Sequence, residues 1–478
     1  MGGNYYKQMK TPIILLLLCL ITHQLLAQSP LDSFLNNNIL KNANVSLCVK
    51  DIKKNEIVYQ HNATNSITPA SIMKLVTTAT AIELLGANFS FKTNLEIDGK
   101  ITEDSVLNGN LFIRGGGDPT LGSEFVGDPF FFKKWVAEIK KVGINKINGK
   151  IIADATLYDD EGVNPKWTQE DMGNYYAAGA YGIAFKDNMY RLVFRSGNVG
   201  TIPDILRTIP YIPELTFDNK VHSANIDYDG AFINGAPKSN SRTVFGRIPA
   251  NTDSFNVKGD IPNPVLLLAH ALNDSLVKAG VQISQSPSDK LLNSAPRKLI
   301  YTHLSPPLSQ IIKVANVKSN NHYTEQVFRY LALTKDQIAS SATAAEVVRT
   351  FWKSKGLDVD QLFMCDGSGL SPVDAVSSQF FVDILTYMKT KSANSDAFFS
   401  SLPIAGVSGT VSSLLKNTPL QGKVHVKSGT ISRVKCYAGY IALEDKNYAF
   451  AMMVNNANGK TKEVVKKMEE FLLSITKP

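Results

Sequence analysis

The stretch TPASIMKLVTTATAIELLG, residues 68–86, constrains this chain more than any other. Ile72, Leu75, Val76, Ala79, Ile82 and Leu85 recur at helical spacing, so it reads as a helix whose apolar face needs a core to cover it. Thr68 is placed to cap it, Pro69 suits the first helical position and Gly86 suits the stop. Ser71 and Lys74 stand three residues apart, which makes them neighbours on one side of the first turn. A lysine and a hydroxyl at the mouth of so apolar a helix call for an explanation.

The chain around this helix has three textures. NVSLCVKDIKKNEIVYQHN, before the helix, alternates like a β-hairpin turning near Lys53-Lys54-Asn55. From about residue 93 to about 260 short strand-like pieces (TNLEID, NLFIRG, GKIIAD, YRLVFRSG) are punctuated by glycine and asparagine. NPVLLLAHALNDSLVKAGV then reads as a helix ending at Gly280, and LSQIIKVANVKSNNHYTEQVFRYLALT as two helical pieces joined at KSNN. KVHVKSG, CYAGYIALED and NYAFAMMVNN are three strands joined by short turns, and an amphipathic helix over about 461–474 closes the chain. The simplest architecture is an α/β unit made of both chain ends, interrupted by a long β-rich insertion.

Residues 1–27 read as a secretory signal peptide: Lys7 and Lys10, an apolar run from Ile13, and Leu25-Leu26-Ala27 for cleavage. Cys19 does not make it a lipoprotein leader, because Leu18 is bulky where a small residue is needed. No later segment has the 18 consecutive apolar residues of a membrane span, so an exported, periplasmic protein that does not cross the membrane is expected. The net charge of +8 comes without a Lys/Arg run or a basic-aromatic stripe, which argues against nucleic acid as a partner. Cys48, Cys365 and Cys436 form no C-x-x-C pair and lie among apolar residues, as small buried hydrophobes do. The seven histidines are scattered without H-E-x-x-H, and neither a P-loop, G-x-G-x-x-G nor G-x-S-x-G occurs. No metal or cofactor is expected.

A serine attacks only when a base takes its proton, and lysine is that base only when neutral. At the ordinary pKa roughly one lysine in 2,500 is neutral at pH 7; lowering it by about 3 units costs about 4 kcal/mol against the charged form. Burial and a second nearby cation can supply that. The Ser71/Lys74 spacing alone is weak, since S-x-x-K recurs at Ser275/Lys278, Ser413/Lys416, Ser432/Lys435 and Ser474/Lys477. Lys427-Ser428-Gly429, in the strand-like VHVKSGTI, changes the odds. Its glycine would admit substrate backbone, Ser428 and Thr430 with Lys427 would bind a carboxylate, and Lys427 would hold the base neutral. Ser319-Asn320-Asn321 is the third element; S-x-N also occurs at Ser196, Ser223, Ser254 and Ser392, and Ser319 would serve as an ordinary helix cap. Order and context separate the set from chance: S-x-x-K opening a long helix, S-x-N at an inter-helix turn, K-S-G ending a strand beside a hairpin.

With these motifs, and with GNLFIRGGGDPTL, WTQEDMGNYYAAG, SPPLSQIIKVANVKSNNHYTEQ, DGSGLS and SLPIAGVSGT, the chain resembles the low-molecular-mass class C (type 4) penicillin-binding proteins, D-alanyl-D-alanine carboxypeptidases and endopeptidases. The resemblance implies a penicillin-binding-protein/serine β-lactamase-like α/β (α+β) transpeptidase fold with two β-rich domains inserted between S-x-x-K and S-x-N. The expected division is 28–92 and 286–478 for the catalytic domain and 93–285 for the insertion. Ser428 stands where threonine is more frequent in related enzymes, and keeps the hydroxyl.

By that resemblance Ser71 is the nucleophile, Lys74 its base, and Ser319 the relay to the leaving amine. Asn321 would hold the acyl-side amide; Lys427, Ser428, Gly429 and Thr430 would bind the terminal carboxylate, with the Ser71 and Thr430 N–H groups as oxyanion hole. Asp366 and Ser368 would shape the cleft edge, and Asp154, Asp159 and Asp160 are candidates for reading a diamino acid side chain. The implied partners are peptidoglycan stem peptides, with β-lactams as inhibitors. Two alternatives remain at this point: a β-lactamase, against which stand the long insertion and the lack of E-x-x-L-N, and a non-catalytic wall-binding protein of the same fold.

Overall fold

The computed structural model describes residues 29–291 and 296–477; the leader expected at 1–27 lies outside the described residues. Both chain ends build one antiparallel sheet of five strands, in the order Val424–Ile431, Val434–Ala442, Asn447–Asn455, Asn44–Asp51, Glu56–His61. The first long strand of the chain thus lies directly against the last. Alternation along these strands sorts side chains into two cores. Leu47, Val49, Phe450, Met452 and Val454 meet the closing helix Thr461–Ile475 and Phe34 on one face. Cys48, Ala449, Ala451, Ala438 and Met453 face the other, where small residues let the helix Ser378–Thr390 lie close to the sheet.

That second core also receives the helices Met73–Leu85, Leu308–Val317, Asn321–Tyr330 and Ser341–Ser354. Met73–Leu85 is buried almost all round, Thr77, Thr78 and Thr80 included, so it is a central helix rather than a surface one. Thr78 and Thr80 satisfy their hydroxyls on the carbonyls of Lys74 and Val76, and Thr77 donates to Gly367. Gly86 ends the helix at φ +87° as expected. Its beginning differs from expectation. Residues Ala70–Ile72 form a 3-10 turn ahead of the α-helix, no side chain caps it, and the Thr68 hydroxyl turns away to the Pro372 carbonyl.

The middle of the chain folds around a separate core. Strands Lys298–Leu304, Lys92–Ile97, Leu111–Arg114 and Ile151–Asp154 form a four-stranded sheet covered by the helices Phe131–Lys141 and Pro264–Lys278. Asn263 caps the second of these by accepting from the Leu266 N–H. Two three-stranded sheets follow: Asp204–Ile209, Met189–Arg195, Phe255–Asp260, and Thr216–Ala224, Ser241–Pro249, Gly230–Asn234. Among the described residues no helix is long and apolar enough to cross a membrane. Cys48 and Cys436 are buried, whereas Cys365, expected to be buried too, is only partly buried on the loop after Leu362–Phe363.

Candidate active site

The three sequence motifs meet at one place. Ser71 lies half-buried in the 3-10 turn, behind Ala70 at φ +47°, a left-handed conformation costing a non-glycine residue about 1 kcal/mol or more. Lys74, one turn later, is fully buried, and its Nζ donates to Ser71 Oγ at 3.1 Å, to Asn321 Oδ1 at 2.6 Å and to the Ser368 carbonyl at 2.8 Å. All three acceptors are neutral. Burial therefore dominates and lowers the Lys74 pKa to about 7, against the opposing pull of Asp366 and Glu325. The sequence reading gave a share of this to a neighbouring cation. Repulsion between two ammoniums is mutual, and Lys427, itself fully buried, is held well below the usual lysine range by burial first and then by the charges of Lys74 and Lys435.

Lys427 donates to Ser319 Oγ at 2.8 Å and to the Ser428 carbonyl at 2.6 Å. Ser319 has φ +54° and does not cap the next helix; Asn320 does, accepting from the Tyr323 N–H, which leaves the Ser319 hydroxyl free to turn toward Lys427. Asn321 opens that helix with both ends of its amide engaged, Oδ1 by Lys74 and Nδ2 donating to the Tyr176 carbonyl at 2.7 Å. Ser428 Oγ pairs with Thr410 Oγ1 at 2.7 Å, and Thr430 Oγ1 accepts from Lys435 at 2.8 Å. Gly429 lies against the Ser71 turn. A Cβ there would lie 2.6 Å from the Pro69 carbonyl and 3.1 Å from the Ser71 and Ile72 nitrogens, so its bareness admits the Ser71 turn.

Asp366 and Ser368 belong to a loop braced from several sides. Asp366 is buried and accepts from the Trp167 indole at 2.7 Å, the Ser371 N–H at 2.8 Å and the Gly369 N–H at 2.6 Å. Glu325, one helical turn beyond Asn321, accepts from the Gly367 and Ser368 N–H groups; burial, reinforced by Asp366, pushes it up to about 8. Gly369 packs where a Cβ would meet the Ala70 carbonyl at 2.0 Å. The loop holds one face of the Ser71 turn and offers the Ser368 carbonyl to Lys74.

Of the three aspartates considered for a diamino acid, two have guanidinium partners. Asp154 pairs with Arg297 at 2.6 Å and Asp159 with Arg329. Asp160 is exposed, 3.8 Å from Lys238, and with Asp159 lines a cavity of about 360 Å³ that none of the three motifs lines. The sequence reading assigned no role to Trp167, Tyr176, Glu325, Thr410 or Lys435. Trp167 and Tyr176 lie in WTQEDMGNYYAAG, a segment carried only by the resemblance, and Lys435 stands out in the sequence only as part of a chance S-x-x-K match.

The model of the D-Ala-D-Ala carboxypeptidase 3 (S13) family matches residues 27–474. The chain belongs to that family. It is 26% identical over 449 residues to a D-alanyl-D-alanine carboxypeptidase of Actinomadura sp. (strain R39), covering 90% of this chain and 81% of that relative. The crystal structure of penicillin binding protein 4 from Haemophilus influenzae is 25% identical and superposes with a TM-score of 0.78, covering 93% of this chain and 98% of the other. The same Haemophilus protein complexed with a novel β-lactam gives a TM-score of 0.72 over 91% of this chain and 96% of the other. The fold of this S13 peptidase is the penicillin-binding-protein/β-lactamase-like α/β fold.

Proposed function

We propose that this S13 peptidase is an exported, periplasmic serine D-Ala-D-Ala carboxypeptidase and DD-endopeptidase of peptidoglycan stem peptides, acylated and inhibited by β-lactams. One observation carries the reading: a fully buried lysine with its pKa near 7 donates to a serine hydroxyl at 3.1 Å, the arrangement that lets a neutral amine take the hydroxyl proton. In the proposed reaction Ser71 Oγ forms a bond to the carbonyl carbon of the penultimate D-alanine while Lys74 Nζ accepts the proton. The peptide C–N bond breaks as the leaving amine gains a proton by way of Ser319, and water then hydrolyses the ester to restore Ser71. The Ser71 and Thr430 N–H groups would receive the oxyanion, about 3 kcal/mol per donor in other acyl enzymes. The close passage of Gly429 beside the Ser71 nitrogen supports that pairing. Asn321 would exchange a present partner for the acyl-side amide, and Lys427, Ser428, Gly429 and Thr430 would receive the carboxylate.

The β-rich middle is proposed as the inserted domains, with an edge nearer 304 than 285, since Lys298–Leu304 pairs with Lys92–Ile97. Intact mass after incubation with benzylpenicillin, for the protein and for Ser71→Ala, tests the whole proposal. A stable adduct of one drug mass, absent from the variant, is expected. Folded protein that gains no adduct and does not hydrolyse the drug would overturn it in favour of a wall-binding role, and rapid drug turnover would favour a β-lactamase.

A further inference from the structure

A third lysine stands at the motif that ends the strand Val424–Ile431. Lys435 lies on the neighbouring strand, directly opposite Thr430 in the antiparallel register, so its side chain and those of Thr430, Ser428 and Tyr437 share one face of the sheet. Its Nζ donates to Thr430 Oγ1 at 2.8 Å and sits 4.6 Å from the centre of the Tyr437 ring. The side chain is half-buried, and burial lowers its pKa from the usual lysine value. Among the described residues none of Lys74, Lys427 and Lys435 forms a salt bridge. Elsewhere in this protein a lysine at the surface pairs readily, as Lys134 does with Asp128 and Lys467 with Glu470. A partly desolvated ammonium held on the Thr430 hydroxyl and close enough to Lys427 to depress it is a standing demand for an anion.

We infer that Lys435 is a specificity-determining residue, a second cation that binds the carboxylate of the substrate or β-lactam together with Ser428 and Thr430. The inference rests on the proposed function and deepens it. It divides the work between the two sheet faces. Lys427 and Gly429 point toward the Ser71 turn and Ser319, so Lys427 is engaged by the relay serine. Ser428 and Thr430 point the other way, and on that face Lys435 donates to Thr430. A carboxylate drawn to the hydroxyls would meet the Lys435 charge while leaving the Lys427–Ser319 bond intact. The geometry predicts discrimination by charge at the leaving side: ligands with a free carboxylate should be favoured over neutral ones, and Lys435 should account for a large part of the preference.

The test measures acylation rates by intact mass for benzylpenicillin and its methyl ester, with the wild-type protein, Lys435→Gln and Lys435→Arg. Because the adduct accumulates, slow rates remain measurable over hours. Lys435→Gln is expected to slow acylation by the free acid about tenfold or more, the scale of a lost charge-assisted hydrogen bond, and to leave the ester rate nearly unchanged. Lys435→Arg should restore most of the preference. Equal slowing of both ligands would show a structural role and overturn the inference, as would an unchanged acid-to-ester ratio in Lys435→Gln. If the wild-type protein were acylated by neither ligand, the proposed function would fall instead.

Discussion

The two cores of this protein treat a buried cation in opposite ways. In the middle of the chain Arg242 is fully buried and pairs with Asp260 at 2.9 Å, adding donations to the Ala236 and Ser239 carbonyls. At the motif site Lys74 and Lys427 are as deeply buried but touch only neutral oxygens: Ser71 Oγ, Asn321 Oδ1 and the Ser368 carbonyl for one, Ser319 Oγ and the Ser428 carbonyl for the other. A guanidinium keeps its charge and finds a carboxylate, so it serves structure. An ammonium surrounded by neutral acceptors gives up its proton near neutrality and can serve as a base. Burial is common to both regions; the partner's charge decides what the cation is for.

Lys74→Met tests the functional half of this contrast most severely. Removing the proposed base should slow β-lactam acylation about 10²–10⁴-fold, the scale of general-base catalysis. The melting temperature should stay level, because a buried amine held against its preferred charge leaves with the side chain. A large fall in thermal stability, measured by calorimetry beside the adduct assay, would place Lys74 with Arg242 as a structural cation.

Arg242→Met tests the structural half. It leaves Asp260 buried without its counter-charge and should cost about 3–5 kcal/mol in denaturant unfolding. Acylation of Ser71 per folded molecule, measured at low temperature, should be unaffected. A slowed acylation rate in folded Arg242→Met would join the two regions and break the comparison.

The pH dependence gives the smallest and sharpest measure. In the proposed mechanism neutral Lys74 is the active form, so the acylation rate should rise about tenfold per unit well below pH 7 and level off above it, with its midpoint near 7. Stability carries the matching sign. Folding holds Lys74 below its ordinary 10.5, so the unfolded chain binds more protons between about pH 7 and 10.5, and this residue's contribution to stability rises with pH across that window. A flat acylation profile from pH 5 to 9 would contradict the base assignment, and Lys74→Met should lower the stability slope, with Lys427 and Lys435 still contributing to it.

Much of the fold is legible in the sequence. The alternation in VHVKSGTI, CYAGYIALED and NYAFAMMVNN appears as Val424–Ile431, Val434–Ala442 and Asn447–Asn455, and the expected closing helix as Thr461–Ile475. Such patterns survive because each strand and helix must turn one period of its sequence to a core. Helix starts were less legible. Thr68 and Ser319 are the residue types that cap helices, yet a 3-10 turn replaces the first cap and Asn320 takes the second. Local preference set the candidates, and the approach of a neighbouring strand and loop selected among them.

The sequence by itself determined the chemistry on offer: a serine and a lysine three apart at the start of an apolar helix, a K-S-G at the end of a strand, and an S-x-N between two helices. Tertiary structure decided what that chemistry could become. Asn321 reaches Lys74 across 247 positions, and Trp167 braces Asp366 across 199. Contacts of that separation leave no period in a sequence, because nothing local requires them. The Lys74 pKa belongs to the same class: a side chain's identity sets its ordinary value, and only the folded surroundings, dry and lined with neutral oxygens, move it to about 7.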